Sequence, residues 1–154
     1  MIHEFAKLSN SEMELMLRAP ILACILIAGA DGEIDRKEIQ GAIEVARKKQ
    51  RRSLANLLEF YREVGEDFED KLKVVIQNYP MNSAERNPLI VKELSQLNAI
   101  LPKLDKSFAV GYYNSIKEIA RKIAESSGGL LGLNKIGQEE AKFVGLIMIK
   151  DPSR

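Results

Sequence analysis

Histidine and cysteine are nearly absent from this chain. Among its 154 residues there is one histidine, His3, and one cysteine, Cys24. A single cysteine excludes an intramolecular disulfide and a multi-cysteine zinc site. A single histidine near the start excludes a zinc site built on several histidines and gives no support to a Ser-His-acid triad. The apolar run from Ile21 to Ile27, which contains Cys24, predicts a small buried thiol.

The chain also has little net charge and no long hydrophobic run. Its 23 basic and 22 acidic residues give a formal net charge of +1, so no global field favours nucleic acid. The apolar run from Pro20 to Ala30 is about half the length needed to cross a bilayer. Glu4 and Lys7 interrupt the apolar region that a signal peptide would need. We therefore expect a cytoplasmic protein without a membrane span.

One local cluster of charge departs from this balance. The run from Arg47 to Arg52 has five cations in six residues. Cations are favourable at the carboxyl end of a helix, where they complement the helix dipole. The run has no interleaved aromatic residues, and the chain has no tryptophan on which bases would stack. This pattern predicts a solvated helix end and no binding of nucleic acid.

The sequence also lacks the marks of an enzyme. No nucleophile and base form a recognisable pair, and the glycine-rich segment from Ser126 to Leu133 lacks the Gly-Lys-Ser/Thr ending of a phosphate-binding loop. The leucines of that segment, Leu130, Leu131 and Leu133, either pack on the core or contact a partner. We expect a non-enzymatic protein that has a protein partner.

Apolar residues recur at helical spacing along nearly the whole chain, and no apolar–polar alternation flanks a hairpin turn. Pro20 either begins a second helix or kinks the first. The sequence predicts one all-α domain over residues 1–154, a compact bundle of about seven or eight helices. The predicted helices begin near Ser11, Pro20, Asp35, Leu54, Asp67, Asn87, Asp105 and Glu139.

The segment from Asp31 to Glu38 is rich in potential oxygen ligands, with four carboxylates in eight residues. Its spacing matches the second half of a calcium loop, in which oxygen ligands surround a glycine turn. Asp31, Asp35 and Glu38 would then face one cation. Asp35 and Glu38 also have the spacing of a helix cap, which stabilises a helix by about 1 kcal/mol without any ligand. The spacing leaves both interpretations open.

A weaker copy of this segment lies near the end of the chain. When Ile34 is aligned with Ile136, Glu38 falls on Glu140. Two helix–loop–helix units would make the bundle pseudo-symmetric. The second unit would then supply further oxygen ligands, from Glu139 or Glu140.

Both segments resemble motifs of the TerB family of tellurite-resistance proteins. The stretch from Ile27 to Asp35, with Glu38, is similar to the first motif, an Ala-Asp-Gly-polar-Ile turn followed by a glutamate that starts a helix. The stretch from Ile123 to Gly132, with Ile136 and Glu140, resembles the second motif. The resemblance implies an all-α bundle with a non-enzymatic role in the tellurite or general stress response.

The resemblance also implies a clustered acidic surface that binds a divalent cation, calcium or magnesium. Asp31, Asp35 and Glu38 match the first motif, and Glu140 matches the second. At Leu133-Asn134 the chain departs from a second complete copy, so a symmetric two-ion site is not implied. The leading hypothesis is a cation-binding module of this type. The alternative is a structural protein-interaction domain in which the same acids only cap helices.

Overall fold

The computed structural model describes residues 3–28, 36–49, 55–128 and 145–154. Within these ranges the chain is helical and contains no strand, which confirms the all-α class. Short 3-10 turns lie at His3–Phe5 and Leu101–Lys103. The helices are α1 (Asn10–Ala28), α2 (Arg36–Lys49), α3 (Ala55–Gly65), α4 (Phe68–Gln77), α5 (Ser83–Ser95), the short α6 (Leu97–Ile100) and α7 (Lys106–Gly128).

Six helices of the described ranges have ten or more residues, fewer than the seven or eight that the sequence predicts. One reason is that Pro20 lies inside α1 and does not begin a second helix, so Asn10–Ala28 is one helix. The predicted starts near Leu54 and Asp67 are confirmed by α3 and α4. The sequence also predicts that the helix from Asn87 continues through Leu101 and stops at Pro102. The structure instead ends α5 at Ser95, and the short α6 ends at Ile100, before the 3-10 turn that contains Pro102.

Helix α1 forms the centre of the core. Every residue from Ala19 to Ala28 is buried, and α1 contacts α2, α3, α4, α5 and α7. A helix that is apolar on all sides must be surrounded by other elements, as the sequence predicts for this segment. None of the helices within the described residues is long and apolar enough to span a membrane.

A contact from α7 completes the hydrogen bonding of α1 at Pro20. Proline has no amide hydrogen, so the carbonyl of Met16 cannot accept the usual helical bond from position 20. The hydroxyl of Tyr112 donates to that carbonyl at 2.9 Å, and both residues are fully buried. A residue 96 positions away therefore supplies the missing donor. This bond explains how α1 tolerates a proline in its buried interior.

Helix α5 begins earlier than the sequence predicts. Asn87 and Pro88 were expected to cap and start a helix, but α5 begins at Ser83 and contains both residues. The cap is Asn82, whose side-chain oxygen accepts a 2.8 Å hydrogen bond from the amide of Ala84. Asn87 is instead buried inside the helix. The prediction was wrong because Asn82 provides an earlier cap, and the helix that begins there continues through Pro88.

The aspartates before α4 and α7 differ in what they do. Asp67 occupies the cap position of α4, but it has a φ of 52° and makes no capping bond through its side chain. Asp105 does cap α7. Hydrogen bonds from the Ser107 hydroxyl and the Phe108 amide hold the pKa of the Asp105 carboxyl below its usual range.

The last predicted helix, from Glu139 to Ile149, does not extend over residues 145–149. These residues form turns, and Leu146 has a φ of 47°, which is incompatible with a right-handed helix. Leu146 and Ile149 are buried. The side chain of Asn98 donates to the carbonyl of Met148 at 2.9 Å, so burial and a tertiary contact determine this conformation. Residues 139–144 lie outside the described ranges.

Candidate functional site

Most of the predicted cation site lies outside the described residues. Asp31 and Asp35 fall within residues 29–35, and Glu140 falls within residues 129–144. Glu38 lies in the first turn of α2, but its side chain is outside the described part of the structure. The grouping of these four carboxylates therefore stays a prediction. The structure does describe the helices to which the two acidic segments are attached.

Two contacts show which part of the chain lies beside the start of α1. Phe5, in the turn before α1, packs edge-on against Phe108 in the first turn of α7, with a ring-centroid distance of 6.0 Å. Glu12, in the first turn of α1, forms a 2.7 Å ion pair with Lys103, which lies just before α7. The beginning of α1 thus lies beside the beginning of α7.

A contact farther along the two helices continues in the same order. Met16 is bonded to Tyr112, as described above. Lys103 and Tyr112 thus follow each other along the chain in the same order as their partners in α1, Glu12 and Met16.

We infer from these contacts and from the packing of α1 on α7 that the two helices run in the same direction. Their carboxyl ends, Ala28 and Gly128, then lie towards the same end of the bundle. The first acidic segment follows Ala28 directly, and the second motif includes the last turn of α7 and continues from it. Helix α2 packs against both α1 and α7, and it buries Ile39, the neighbour of Glu38, fully.

The hydroxyls that join α1, α3 and α7 are structural groups. The Ser115 hydroxyl donates to the Tyr112 carbonyl at 2.7 Å, so the Tyr61 hydroxyl is the donor in its 2.5 Å bond to Ser115. Burial raises the pKa of Tyr61 and of Tyr112, and it raises the pKa of the Cys24 thiol. These groups remain protonated at neutral pH and are inaccessible to a substrate. The prediction of a buried thiol at Cys24 is confirmed.

The basic run from Arg47 to Arg52 is only partly described. Arg47, Lys48 and Lys49 belong to the last turn of α2, and Lys48 is exposed. Residues 50–52 lie outside the described ranges. Arg47, Lys48 and Lys49 therefore lie where cations complement the helix dipole.

No group of acids in the described ranges resembles a metal site. Among those residues, no three histidine, cysteine, aspartate or glutamate side chains come together in a way that would hold an ion.

The structure also contains an open groove of about 490 Å³ between α1 and α4, which we call the α1–α4 groove. Its α1 wall consists of Glu14, Leu17, Arg18 and Ile21. These positions have the i, i+3, i+4, i+7 spacing of one helix face. Ile21 is buried in the core, and Leu17 is half-buried against it.

The α4 wall of the groove consists of Asp70, Lys71, Val74 and Val75. Val75 is buried, whereas Val74 keeps 55% of its surface exposed. At the sequence level this face looks like any amphipathic helix. Only the packing of α4 beside α1 creates the groove, so the sequence contains no separate signal for it.

A charged cluster involves Arg18 at the edge of the groove. Glu93 of α5 binds both the Arg18 guanidinium and the Tyr79 hydroxyl. Burial, and then the hydrogen bond to Glu93, raise the pKa of Tyr79. The three partly buried side chains connect α1, α5 and the segment that follows α4. Sequence reasoning missed this cluster because its members are distant in the chain.

Comparison of the chain with protein-family models, with curated proteins and with solved structures finds no match. The resemblance to the TerB family therefore rests on the residues of the two motifs alone.

Proposed function

We propose that this protein is a non-enzymatic, TerB-like binding module whose acidic segments hold a divalent cation. Asp31, Asp35 and Glu38 supply the carboxylates of the first segment, and Glu140 supplies one from the second. Calcium and magnesium are the proposed ions, because hard cations prefer oxygen ligands. The cellular role would be in the tellurite or general stress response that the resemblance implies.

The common direction of α1 and α7, inferred from their contacts, supports this proposal. With that direction, two segments about a hundred positions apart in sequence are attached to helix ends on the same side of the bundle. If the acidic groups gather there, their mutual repulsion favours a cation that neutralises them. The first turn of α2 contributes free amides and a dipole that also favour carboxylates beside Glu38.

A thermal unfolding titration with calcium, magnesium and manganese tests the proposal. A cation that binds only the folded protein stabilises it by mass action, by about 2.7 kcal/mol at a hundredfold excess over its dissociation constant. The double variant Asp31→Asn with Glu38→Gln should lose this gain. An unchanged melting curve of the wild-type protein at millimolar concentrations of all three ions would contradict the proposal.

A matched control removes two other acids from a helix start. Glu69 and Asp70 lie in the first turn of α4 and belong to neither acidic segment. The double variant Glu69→Gln with Asp70→Asn loses the same charge near a similar helix dipole. It should retain the full response to the cation, which would separate specific ligation from a general effect of net charge.

A further substitution separates a ligand from a helix cap. Asp35→Ser keeps an oxygen that can cap α2 but removes the charge. A loss of cation affinity with unchanged stability in the absence of metal would support ligation. Unchanged stability together with no metal response in the wild-type protein would favour the alternative, a structural interaction domain.

A further inference from the structure

The apolar floor of the α1–α4 groove is left open by the described parts of the chain. Ile21 and Val75 are buried at the base, and Leu17 is half-buried beside them. Val74 is 55% exposed, an unusual position for a large apolar side chain on a helix that packs against the core. Apolar surface at such a place is what a partner would remove from water.

The charged side chains beside this floor differ in whether they have an ion-pair partner. Arg18 is paired with Glu93, and the ammonium of Lys71 donates to the Glu63 carbonyl at 2.6 Å. Glu14 and Asp70 are exposed and have no ion pair within the described ranges. The Glu63 carbonyl is neutral, so Lys71 keeps its charge, and the charges without an ion pair are two carboxylates and one ammonium. The groove is therefore negative by one charge and attracts a cationic group.

We propose that the α1–α4 groove docks an amphipathic helix of a partner protein. The apolar face of that helix would cover Val74 and Leu17, and its lysine or arginine side chains would lie beside Glu14 and Asp70. Recognition of this kind places an apolar helix face in a groove, and complementary charges select the partner. This surface is distinct from the acidic segments of the proposed cation site.

The dimensions and charge of the groove agree with such an occupant. Helix α4 has ten residues and is therefore about 15 Å long, which offers about three turns of contact to a helix laid along it. An acidic helix or an anionic membrane surface would be repelled by Glu14 and Asp70. Charge complementarity thus selects a basic helix over these other occupants.

Two synthetic peptides of about 18 residues, roughly 27 Å long as helices, test the proposal. Both present the same leucine face, which is bordered by lysine in one peptide and by glutamate in the other. Amide NMR titration of the full chain should show that the lysine peptide shifts residues 14–21 and 70–75. The glutamate peptide should bind more weakly. Equal affinity of the two peptides, or shifts confined to other surfaces, would overturn the proposal.

Variants of the groove sharpen this test. Val74→Arg places a charge on the apolar floor and should abolish binding of the lysine peptide. Leu89→Arg is the matched control, because Leu89 is 47% exposed on α5 and does not line the groove. It should bind as the wild-type protein does. Equal binding by the Val74→Arg variant, with its native amide spectrum retained, would refute the proposed docking site.

Charge reversal tests the selection of a basic partner. The double variant Glu14→Lys with Asp70→Lys replaces two surface attractions with repulsions. We expect it to weaken the lysine peptide by about fivefold to thirtyfold and to strengthen the glutamate peptide. An unchanged preference between the peptides would contradict the assigned role of these carboxylates.

Two further measurements distinguish this proposal from self-association through the groove and from a dependence on the proposed cation site. Groove amides that shift on dilution of the protein alone would show that a second copy occupies the groove, which would overturn the proposal. The variant Asp31→Asn with Glu38→Gln should bind the lysine peptide normally. Normal binding by this variant would support two separate surfaces even if the cation proposal fails. Lost binding would contradict the separation of the groove from the cation site.

Discussion

The bond between the Tyr112 hydroxyl and the Met16 carbonyl predicts an unusual energetic coupling to Pro20. Tyr112→Phe removes the hydroxyl and leaves the Met16 carbonyl buried without its donor, because Pro20 cannot supply one. An unsatisfied buried acceptor costs about 1–3 kcal/mol. We expect the Tyr112→Phe variant to lose that amount from the free energy of unfolding.

In a Pro20→Ala background the same substitution should cost less. The alanine introduced there has an amide hydrogen, which restores the helical bond to the Met16 carbonyl. The substitution Pro20→Ala also leaves a cavity where the proline ring was, and this cavity changes the stability of both proteins that carry it. A double-mutant cycle cancels that change. The remaining interaction energy between Tyr112 and Pro20 should be about 1 kcal/mol or more, with the Tyr112→Phe penalty largest when Pro20 is present.

Urea unfolding of the four proteins in the cycle measures this coupling. Tyr113→Phe provides a matched control on the same helix, because its hydroxyl makes no hydrogen bond with the described residues. Its ring is instead covered by the ammonium of Lys117, 5.3 Å from the centroid. A coupling between Tyr112 and Pro20 within about 0.3 kcal/mol of zero would refute the reasoning, since additive effects are expected of independent sites.

Two further predictions concern groups whose pKa values depart from their usual range. The Cys24 thiol is fully buried and its pKa is raised, so an aromatic disulfide reagent should label it only after unfolding in guanidinium; rapid labelling of the native protein would contradict its burial. Asp105 has a lowered pKa in the folded state because it accepts bonds from Ser107 and Phe108. Its contribution to stability is therefore complete above its unfolded pKa and is lost as the pH falls through the folded value. Asp105→Asn should flatten the decline in stability between about pH 5 and pH 2, and an identical acid profile for the two proteins would exclude this role.

Some features of the protein follow from the sequence because they are local. Apolar residues at helical spacing predict the all-α class, and the bounds of α3 agree with the pattern from Leu54 to Gly65. The unbroken apolar run from Ile21 to Ile27 predicts that α1 is central and that Cys24 is buried. These predictions succeed because periodicity and total apolarity depend on neighbouring residues alone.

Prolines mark the places where local signals were insufficient. Pro88 predicts a helix start and Pro20 predicts either a helix start or a kink, yet each lies inside a helix. At Pro20 the outcome depends on Tyr112, which supplies a donor from across the core. At Pro88 the earlier cap at Asn82 sets the start of α5. A distant donor has no local sequence signal, whereas the Asn82 cap was present in the sequence and was overlooked.

The candidate sites also differ in whether the sequence or the tertiary structure indicates them. The sequence alone indicates the acidic segments, because Asp31, Asp35 and Glu38 form a local pattern with a physical meaning. Tertiary structure alone supplies the contacts, such as the bond from Tyr112 to Met16, from which the common direction of α1 and α7 is inferred. It alone also creates the α1–α4 groove, because an open surface between two helices depends on how their faces pack and on which neighbours leave that surface uncovered.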